Sequence, residues 1–392
     1  MTDKMQVNLR QVAMEILYEV QKNNGLLHVV LSDALKKYQY LDKNERSFIS
    51  RLVQGTEERK IELDYIIDSF SKTPVKKQKD VIRIILEMSV YQLKYMDSVP
   101  ASAVCNEAVK LAVKKNFGTL RGFVNGVLRN IARNIDNIEY PDKSTNTDKY
   151  LSVKYSVPEE LAGYFLKKFG DNETEEMFEA FNKDKSTYIR CNTKKTDIAG
   201  LTAALEAEGV TVTNEGIDKR IDYALKISGY DYLGGLKSFR DGLFFVQDIS
   251  SMLASQGGFI KRDAYVIDVC AAPGGKSINA ALMADIGHVS SRDISGRKVS
   301  LIKENAERLG IDNITYKVWD AVKKDEESVE KADVLICDLP CSGLGIIGRK
   351  PDIKYNVTYE KIKELALLQR KILSTVWEYV KKDGILIYST CT

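Results

Sequence analysis

Histidine is nearly absent: His28 and His288 are the only two in 392 residues. Neither lies beside another reactive side chain in the sequence, so a histidine general base is hard to build and cysteine or carboxylate chemistry is favoured. The six cysteines, at 105, 191, 270, 337, 341 and 391, include no Cys-x-x-Cys pair, which argues against both a zinc site and a disulfide framework. No stretch approaches the roughly 20 apolar residues that span a bilayer. Residues Met1 to Arg10 are polar and run into an amphipathic pattern, not an apolar signal core. We therefore expect a cytoplasmic protein with no metal and no membrane association, and a monomer. Acidic residues are missing from one place in particular. None occurs between Ala108 and Ile135, where Lys110, Lys114, Lys115, Arg121, Arg129 and Arg133 all fall.

That gap belongs to a wider asymmetry. Residues 1–140 hold 22 Lys+Arg against 17 Asp+Glu, a balance of +5; subtraction from 58 and 55 leaves 36 against 38, or −2, for the rest. The six basic side chains form a phosphate-sized footprint and are candidate contacts to a nucleic-acid backbone, against the plainer reading of a solvated helix face.

The length exceeds what one core usually supports, so two or three domains are expected. Over residues 1–137 apolar residues recur at helical spacing, as in Leu9, Val12, Ala13, Ile16, Leu17 and Val20, and the pattern predicts a helical bundle. Its helices are expected over residues 29–37, 43–57, 61–70, 80–95, 102–115 and 120–134. Residues 137–148 are polar and carry Pro141, which marks a linker. A small α+β unit over residues 150–255 follows, with strands expected near Thr187–Cys191, Val210–Val212 and Leu243–Val246. From residue 256 strands and helices alternate, predicting a parallel sheet in a Rossmann-like domain over 256–392. Its strands are expected at Val266–Val269, Gly287–Ser290, Ile314–Val318, Val334–Cys337 and Ile385–Tyr388.

Two of these strands end in cysteine motifs, Asp338-Leu339-Pro340-Cys341-Ser342-Gly343 and Ser389-Thr390-Cys391. In an open parallel sheet the reacting groups gather beyond the carboxyl ends of the strands, so both thiols can face one pocket. One can attack while the other handles a proton. The first strand runs into Cys270-Ala271-Ala272-Pro273-Gly274-Gly275-Lys276, a glycine turn opening a helix. It lacks the Gly-x-Gly-x-x-Gly fingerprint of a pyrophosphate site, which favours a phosphate-free nucleoside ligand such as S-adenosylmethionine. Asp293 follows the second strand, where a carboxylate can accept ribose hydroxyls, and Asp320 follows the third, near the expected adenine. For Cys105, Cys191 and Cys337 burial in the core is the reading adopted, and for Cys270 a packing or cofactor-adjacent role.

The glycine loop and the two cysteine motifs together resemble the signature set of the RNA cytosine-C5 methyltransferases. The front domain, including Phe123-Val124-Asn125-Gly126-Val127-Leu128-Arg129, resembles the RNA-binding NusB family, and that pairing is similar to the bacterial 16S ribosomal RNA methyltransferases. Arg190-Cys191-Asn192 and Val246-Gln247-Asp248 resemble the same family's middle segment. The resemblance implies an all-α NusB-like domain, an α+β RNA-binding unit and an S-adenosylmethionine-dependent Rossmann-like domain acting on small-subunit ribosomal RNA. It makes Cys391 the nucleophile toward C6 of the base, Cys341 the residue that releases the product, and Asp338 a hydrogen-bonding partner at N3. The loop Cys270–Lys276 with Asp293, Asp320 and Asp338 would hold the cofactor, and Lys276 is a candidate for activating Cys391. Relatives continue past Ser389-Thr390-Cys391 with further strands, so we expect the catalytic domain to be incomplete at its C-terminal end. A transfer-RNA cytosine methyltransferase and an inactive RNA-binding assembly factor are the alternatives carried.

Overall fold

The computed structural model describes residues 7–23, 25–183 and 186–392. The leader reading drawn from the first residues therefore falls largely outside the described residues. By internal contacts the chain divides into two compact units, residues 1–183 with 344–359, and residues 184–343 with 360–392.

The first unit is all-α. Seven helices, α1 (Leu9–Lys22), α2 (Leu27–Lys37), α3 (Lys43–Glu58), α4 (Lys60–Phe70), α5 (Asp80–Tyr95), α6 (Ala101–Lys114) and α7 (Arg121–Asn134), enclose one core. Their ends carry the expected start signals. Asn8 accepts a hydrogen bond from the Gln11 amide at 2.9 Å, and Asp42 with Glu45 forms a capping box at the start of α3. The apolar stripe of α1 is buried at Val12, Ala13, Met14, Ile16, Leu17 and Val20, and α5 is buried nearly all round, as a central helix must be.

Three more helices, α8 (Thr147–Tyr155), α9 (Glu159–Phe169) and α10 (Asp171–Asn182), complete this unit. Helix α8 begins inside the stretch whose polarity suggests a linker. It is held to the bundle by the Ser156 hydroxyl, which accepts from the Ile61 amide at 2.8 Å, and Tyr155, Phe165 and Phe178 pack as a ring cluster beneath it. The compact unit thus extends to Lys183, beyond the polar segment, because these aromatic side chains need one another's cover. Residues 344–359 join the same unit. There Asp352 accepts from the Leu27 amide, Lys354 donates to the Glu58 carbonyl and Tyr355 donates to the Glu57 carbonyl.

The second unit contains two sheets. Strands β1 (Thr187–Cys191), β2 (Thr211–Thr213), β3 (Ala224–Ser228) and β4 (Phe244–Val246) form an antiparallel sheet ordered β2-β3-β1-β4. Strand β3 was not among the expected strands; its alternation Ala224-Leu225-Lys226-Ile227 is short, and its pairing with β1 makes it a strand. Strands β5 (Tyr265–Asp268), β6 (His288–Asp293), β7 (Ile314–Val318), β8 (Ala332–Asp338) and β9 (Val380–Ser389) form a parallel sheet ordered β7-β6-β5-β8-β9. Its crossover helices include α11 (Gly275–Met283), α12 (Gly296–Leu309) and α13 (Tyr359–Val376). The chain leaves β5 toward β6 and returns on its other side as β8, so the strand order reverses at β5. The crevice beyond that switch point is where ligands bind in such sheets. The Rossmann-like expectation for this region and the helical expectation for the front region are both met.

Candidate active site

The carboxyl ends of β5, β6 and β8, with the segment after β7, frame a cleft of about 260 Å³ lined by Cys270, Ala272, Asp293, Ile294, Lys298, Trp319, Asp320, Asp338, Pro340 and Leu368, among others. Cys270 and Ala272 of the glycine loop line it. Gly274 has φ +105°, and a Cβ there would meet Ile302 Cγ2 at 3.1 Å and Ile278 Cδ1 at 3.2 Å, so both its backbone shape and its neighbours require glycine. The Ala271 amide donates to the Arg292 carbonyl and the Trp319 amide to the Asp293 carbonyl, which ties the three strand ends together.

Each acid expected to serve the cofactor is placed here. Asp293 is buried; its carboxylate accepts from the Ala272 amide at 3.3 Å and lies 3.6 Å from Lys298 Nζ. Asp320 accepts from the Val322 amide and lines the cleft. Asp268, at the end of β5, is fully buried; it accepts from Ser277 Oγ at 2.6 Å, and its other oxygen has no partner. Burial pushes its pKa up to about 7. Cys270 lines the cleft, and burial raises its thiol to about 12, so it is no nucleophile. Among the described lining residues Lys298 is the single cation, beside three carboxylates and the apolar Ile294, Trp319 and Leu368. That donor set suits a hydroxyl-bearing, positively charged ligand and is poorly suited to a pyrophosphate.

Beyond Asp338 the two cysteines come together. The Cys391 amide donates to Cys341 Sγ at 3.3 Å, and Ser342 Oγ lies 3.0 Å from Thr392 Oγ1. Cys391 is exposed and Cys341 half-buried. The thiol hydrogen bond from Cys391, helped by the amides of Cys391 and Gly343, draws Cys341 down to about 5 against the opposing effect of burial. The same hydrogen bond raises Cys391 above the ordinary thiol range. Cys341 is thus the more acidic of the two thiols.

Asp338 accepts at both oxygens, from Lys276 Nζ at 2.8 Å and Ser389 Oγ at 2.8 Å. Lys276 therefore pairs with Asp338 and not with Cys391, since the carboxylate is the nearest anion its side chain meets. The donor to Cys341 is the partner cysteine instead. Ser389, named in the sequence only as part of its motif and given no role, sits opposite Asp338 in the β8–β9 register, and that pairing makes it the carboxylate's donor. Arg190 was noted only as part of a resembling segment. Here its buried guanidinium donates to Gln247 Oε1 at 2.5 Å and to the Gly275 carbonyl at 2.8 Å.

The basic residues of the front region lie on α6 and α7 and between them, in the other unit. Lys110 pairs with Glu107 at 2.8 Å and Lys115 with Glu15 at 2.7 Å; Lys114, Arg121, Arg129 and Arg133 are exposed, with Arg129 Nε donating to Asn125. Among the described residues no helix is long and apolar enough to cross a membrane, and no group of three or more His, Cys, Asp or Glu side chains is placed to hold a metal ion.

Residues 260–392 match the family model of 16S rRNA methyltransferase RsmB/F, and residues 7–133 match that of the NusB family. The probable ribosomal RNA small subunit methyltransferase B of Bacillus subtilis is 36% identical over 387 residues, covering 98% of this chain and 85% of that protein. The protein of the same description from Synechocystis is 33% identical over 396 residues, covering 98% of this chain and 86% of its own. The crystal structure of PH0851 is similar over 100% of this chain and 87% of that one, with TM-score 0.80 and 26% identity. A methyltransferase homolog from Pyrococcus horikoshii covers 64% of this chain and 78% of its own, at TM-score 0.54 and 26% identity.

Proposed function

This chain belongs to the 16S rRNA methyltransferase RsmB/F family, and from that premise we propose that it methylates C5 of a cytosine in 16S ribosomal RNA, with S-adenosylmethionine as donor and a transient bond between Cys391 and C6. The observation that carries this reading is the contact between Cys391 and Cys341, the residue that directly follows Pro340 of the acid-lined cleft. Cytosine C5 is a poor nucleophile until sulfur adds at C6 and makes C5 enamine-like.

When bound, S-adenosylmethionine supplies an electrophilic methyl sulfonium; the loop Cys270–Lys276 with Asp293, Asp320 and Asp338 would hold it. Cys391 attacks C6 as its proton passes to the Cys341 thiolate. The charge pushed toward N3 and O2 of the base is met by the Lys276–Asp338–Ser389 array, in which Asp338 positions the Lys276 ammonium. Once C5 carries its methyl group, the Cys341 thiol, being acidic, has given its proton to water and can accept the one on C5. The C5–H electron pair re-forms the C5–C6 double bond and expels Cys391 as thiolate. The pair again carries one proton, and one proton has gone to solvent.

A base buried in a duplex hides C5 and C6, so the target is a loop or an extruded nucleotide, at a cost of a few kcal/mol. The exposed Lys114, Arg121, Arg129 and Arg133 of the helical unit would hold the RNA backbone, joined by Lys110 and Lys115 once their carboxylate partners are displaced.

Incubation with labelled S-adenosylmethionine and unmodified small-subunit or transfer RNA tests the substrate: label should enter the small-subunit RNA. Cys391→Ala should abolish transfer. Cys341→Ala should accumulate a protein–RNA adduct that survives denaturing electrophoresis, and normal turnover by that variant would remove the covalent mechanism.

A further inference from the structure

Four of the six cysteines are shielded from solution chemistry. Cys105, Cys191 and Cys337 are buried, and Cys270 is half-buried in the cleft with its thiol held neutral. Cys341 is half-buried and Cys391 exposed, and the Cys391 amide donates to Cys341 Sγ. We propose that this pair is also an oxidation site: a peroxide converts Cys341 and Cys391 into a reversible disulfide, withdrawing both sulfurs from chemistry at once.

Three features of the geometry support it. The Cys391 amide approaches Cys341 Sγ to 3.3 Å, so the backbone of one residue already lies against the sulfur of the other. Cys341 follows β8 by three residues and Cys391 follows β9 by two, so both lie on short segments just past adjacent, register-paired strands. A hydroxyl contact between Ser342 and Thr392 closes those segments on one another. Lys276, the lysine of the glycine loop, is held by Asp338.

The chemistry follows the usual order for a thiolate beside a resolving thiol. Cys341 sulfur attacks a peroxide oxygen, the O–O bond breaks, and hydroxide leaves, giving a sulfenic acid at Cys341. Cys391 sulfur then attacks the Cys341 sulfur; the S–O bond breaks, and the departing hydroxide takes the Cys391 proton away as water. Both sulfurs are oxidised and the peroxide is the electron acceptor. A lone accessible thiolate would continue to the sulfinic acid, and the neighbouring thiol diverts it to a reducible product. The depressed titration of Cys341 keeps it reactive at neutral pH.

The disulfide is independent of the catalytic reading, and only the loss of activity that should accompany it rests on that reading. Reduced protein is treated with one equivalent of hydrogen peroxide, alkylated under denaturing conditions and digested. Mass spectrometry should find the peptide bearing Cys341 joined to that bearing Cys391, short of two hydrogens and released by dithiothreitol. Cys391→Ser should give no bridge and should instead carry a sulfenic acid on Cys341, trapped by dimedone, which a second equivalent of peroxide takes on to the sulfinic acid. Methyl transfer should fall in proportion to the bridged fraction and return on reduction. Oxidation that leaves both thiols alkylatable, or that bridges Cys270 or Cys337 instead, overturns the proposal. Failure of the covalent mechanism is read separately, from the missing adduct of Cys341→Ala.

Discussion

Arg190 Nη1 donates to the carbonyl oxygen of Gly275 at 2.8 Å, so a charge carried on the antiparallel sheet secures the first residue of the helix behind the glycine loop. The guanidinium is fully buried and its pKa falls to about 9 because burial penalises the cation. Its compensation is narrow: the Gly275 carbonyl, Gln247 Oε1 and the face of Phe245 at 5.5 Å, with Nε and Nη2 lacking acceptors. Arg190→Met keeps the aliphatic bulk and removes both donations, leaving the buried Gln247 Oε1 without its donor and the half-buried Gly275 carbonyl without one of its own, at a cost of about 2–4 kcal/mol. Urea unfolding followed by Trp319 should show the second unit destabilised by that amount. The KM for the methyl donor should rise more than kcat falls, with Arg190→Lys recovering part of the loss. An unchanged KM would confine Arg190 to stability.

Cys341 should react as a thiolate far below the usual thiol range. Its folded pKa of about 5 lies below the ordinary value of 9.0, so the charged form dominates above about pH 5 and is lost as pH falls through that value. Iodoacetamide labelling of Cys341, read by peptide mass, should rise with a midpoint near pH 5. In Cys391→Ala the main donor is gone, and the midpoint should move up by pH units toward 9. A midpoint near 9 in the unaltered protein would mean that the thiol contact does not set the charge.

The parallel sheet was legible because its strands read as apolar runs ended by Gly, Pro or Asp. The exception is instructive: β9 begins at Val380, five residues before the expected start. Lys381, Lys382, Asp383 and Gly384 look like a turn, and Asp383 has φ +64°. Yet Val380 pairs with Ala332 and Lys381 with Asp333, and the irregular register between Ala332 and Val334 absorbs the extra residues. The thiols could be found because each belongs to a local motif. The Ser389–Asp338 bond could not, since it depends on strand register across 51 positions, and Arg190 could not, since a charge in a short strand reads as solvent-facing.

Trp319 gives a direct probe of the cleft. It lines the cavity beside Asp293 and Asp320, its indole donates to the Lys323 carbonyl, and Lys317 lies 4.2 Å from its ring. The other tryptophan, Trp377, is 58% exposed and is not among the residues that line it. Titration with S-adenosylmethionine or its demethylated product should change the emission of Trp319 saturably, over a constant background from Trp377. Trp319→Phe should lose the signal, and Trp377→Phe should keep it. A signal that follows Trp377 would place the ligand elsewhere.

The basic residues of α6 and α7 should not contribute equally to RNA affinity. Lys115 is only partly exposed and already pairs with Glu15, and Lys110 pairs with Glu107, so RNA must displace a carboxylate before either meets a phosphate. Arg121, Arg129 and Arg133 are exposed on α7, and Arg129 and Arg133, four residues apart, are neighbours on its surface. Each that contacts a phosphate adds about 0.7–0.9 to the slope of log affinity against log salt. Alanine at Arg129 or Arg133 should therefore lower that slope by roughly one and weaken binding to all RNA sequences alike. Lys115→Ala should have a smaller effect, and Glu15→Gln should strengthen binding by freeing the Lys115 ammonium. Filter binding across a salt series measures all of these, and an unchanged slope in an Arg129/Arg133 double variant would move the RNA to another face.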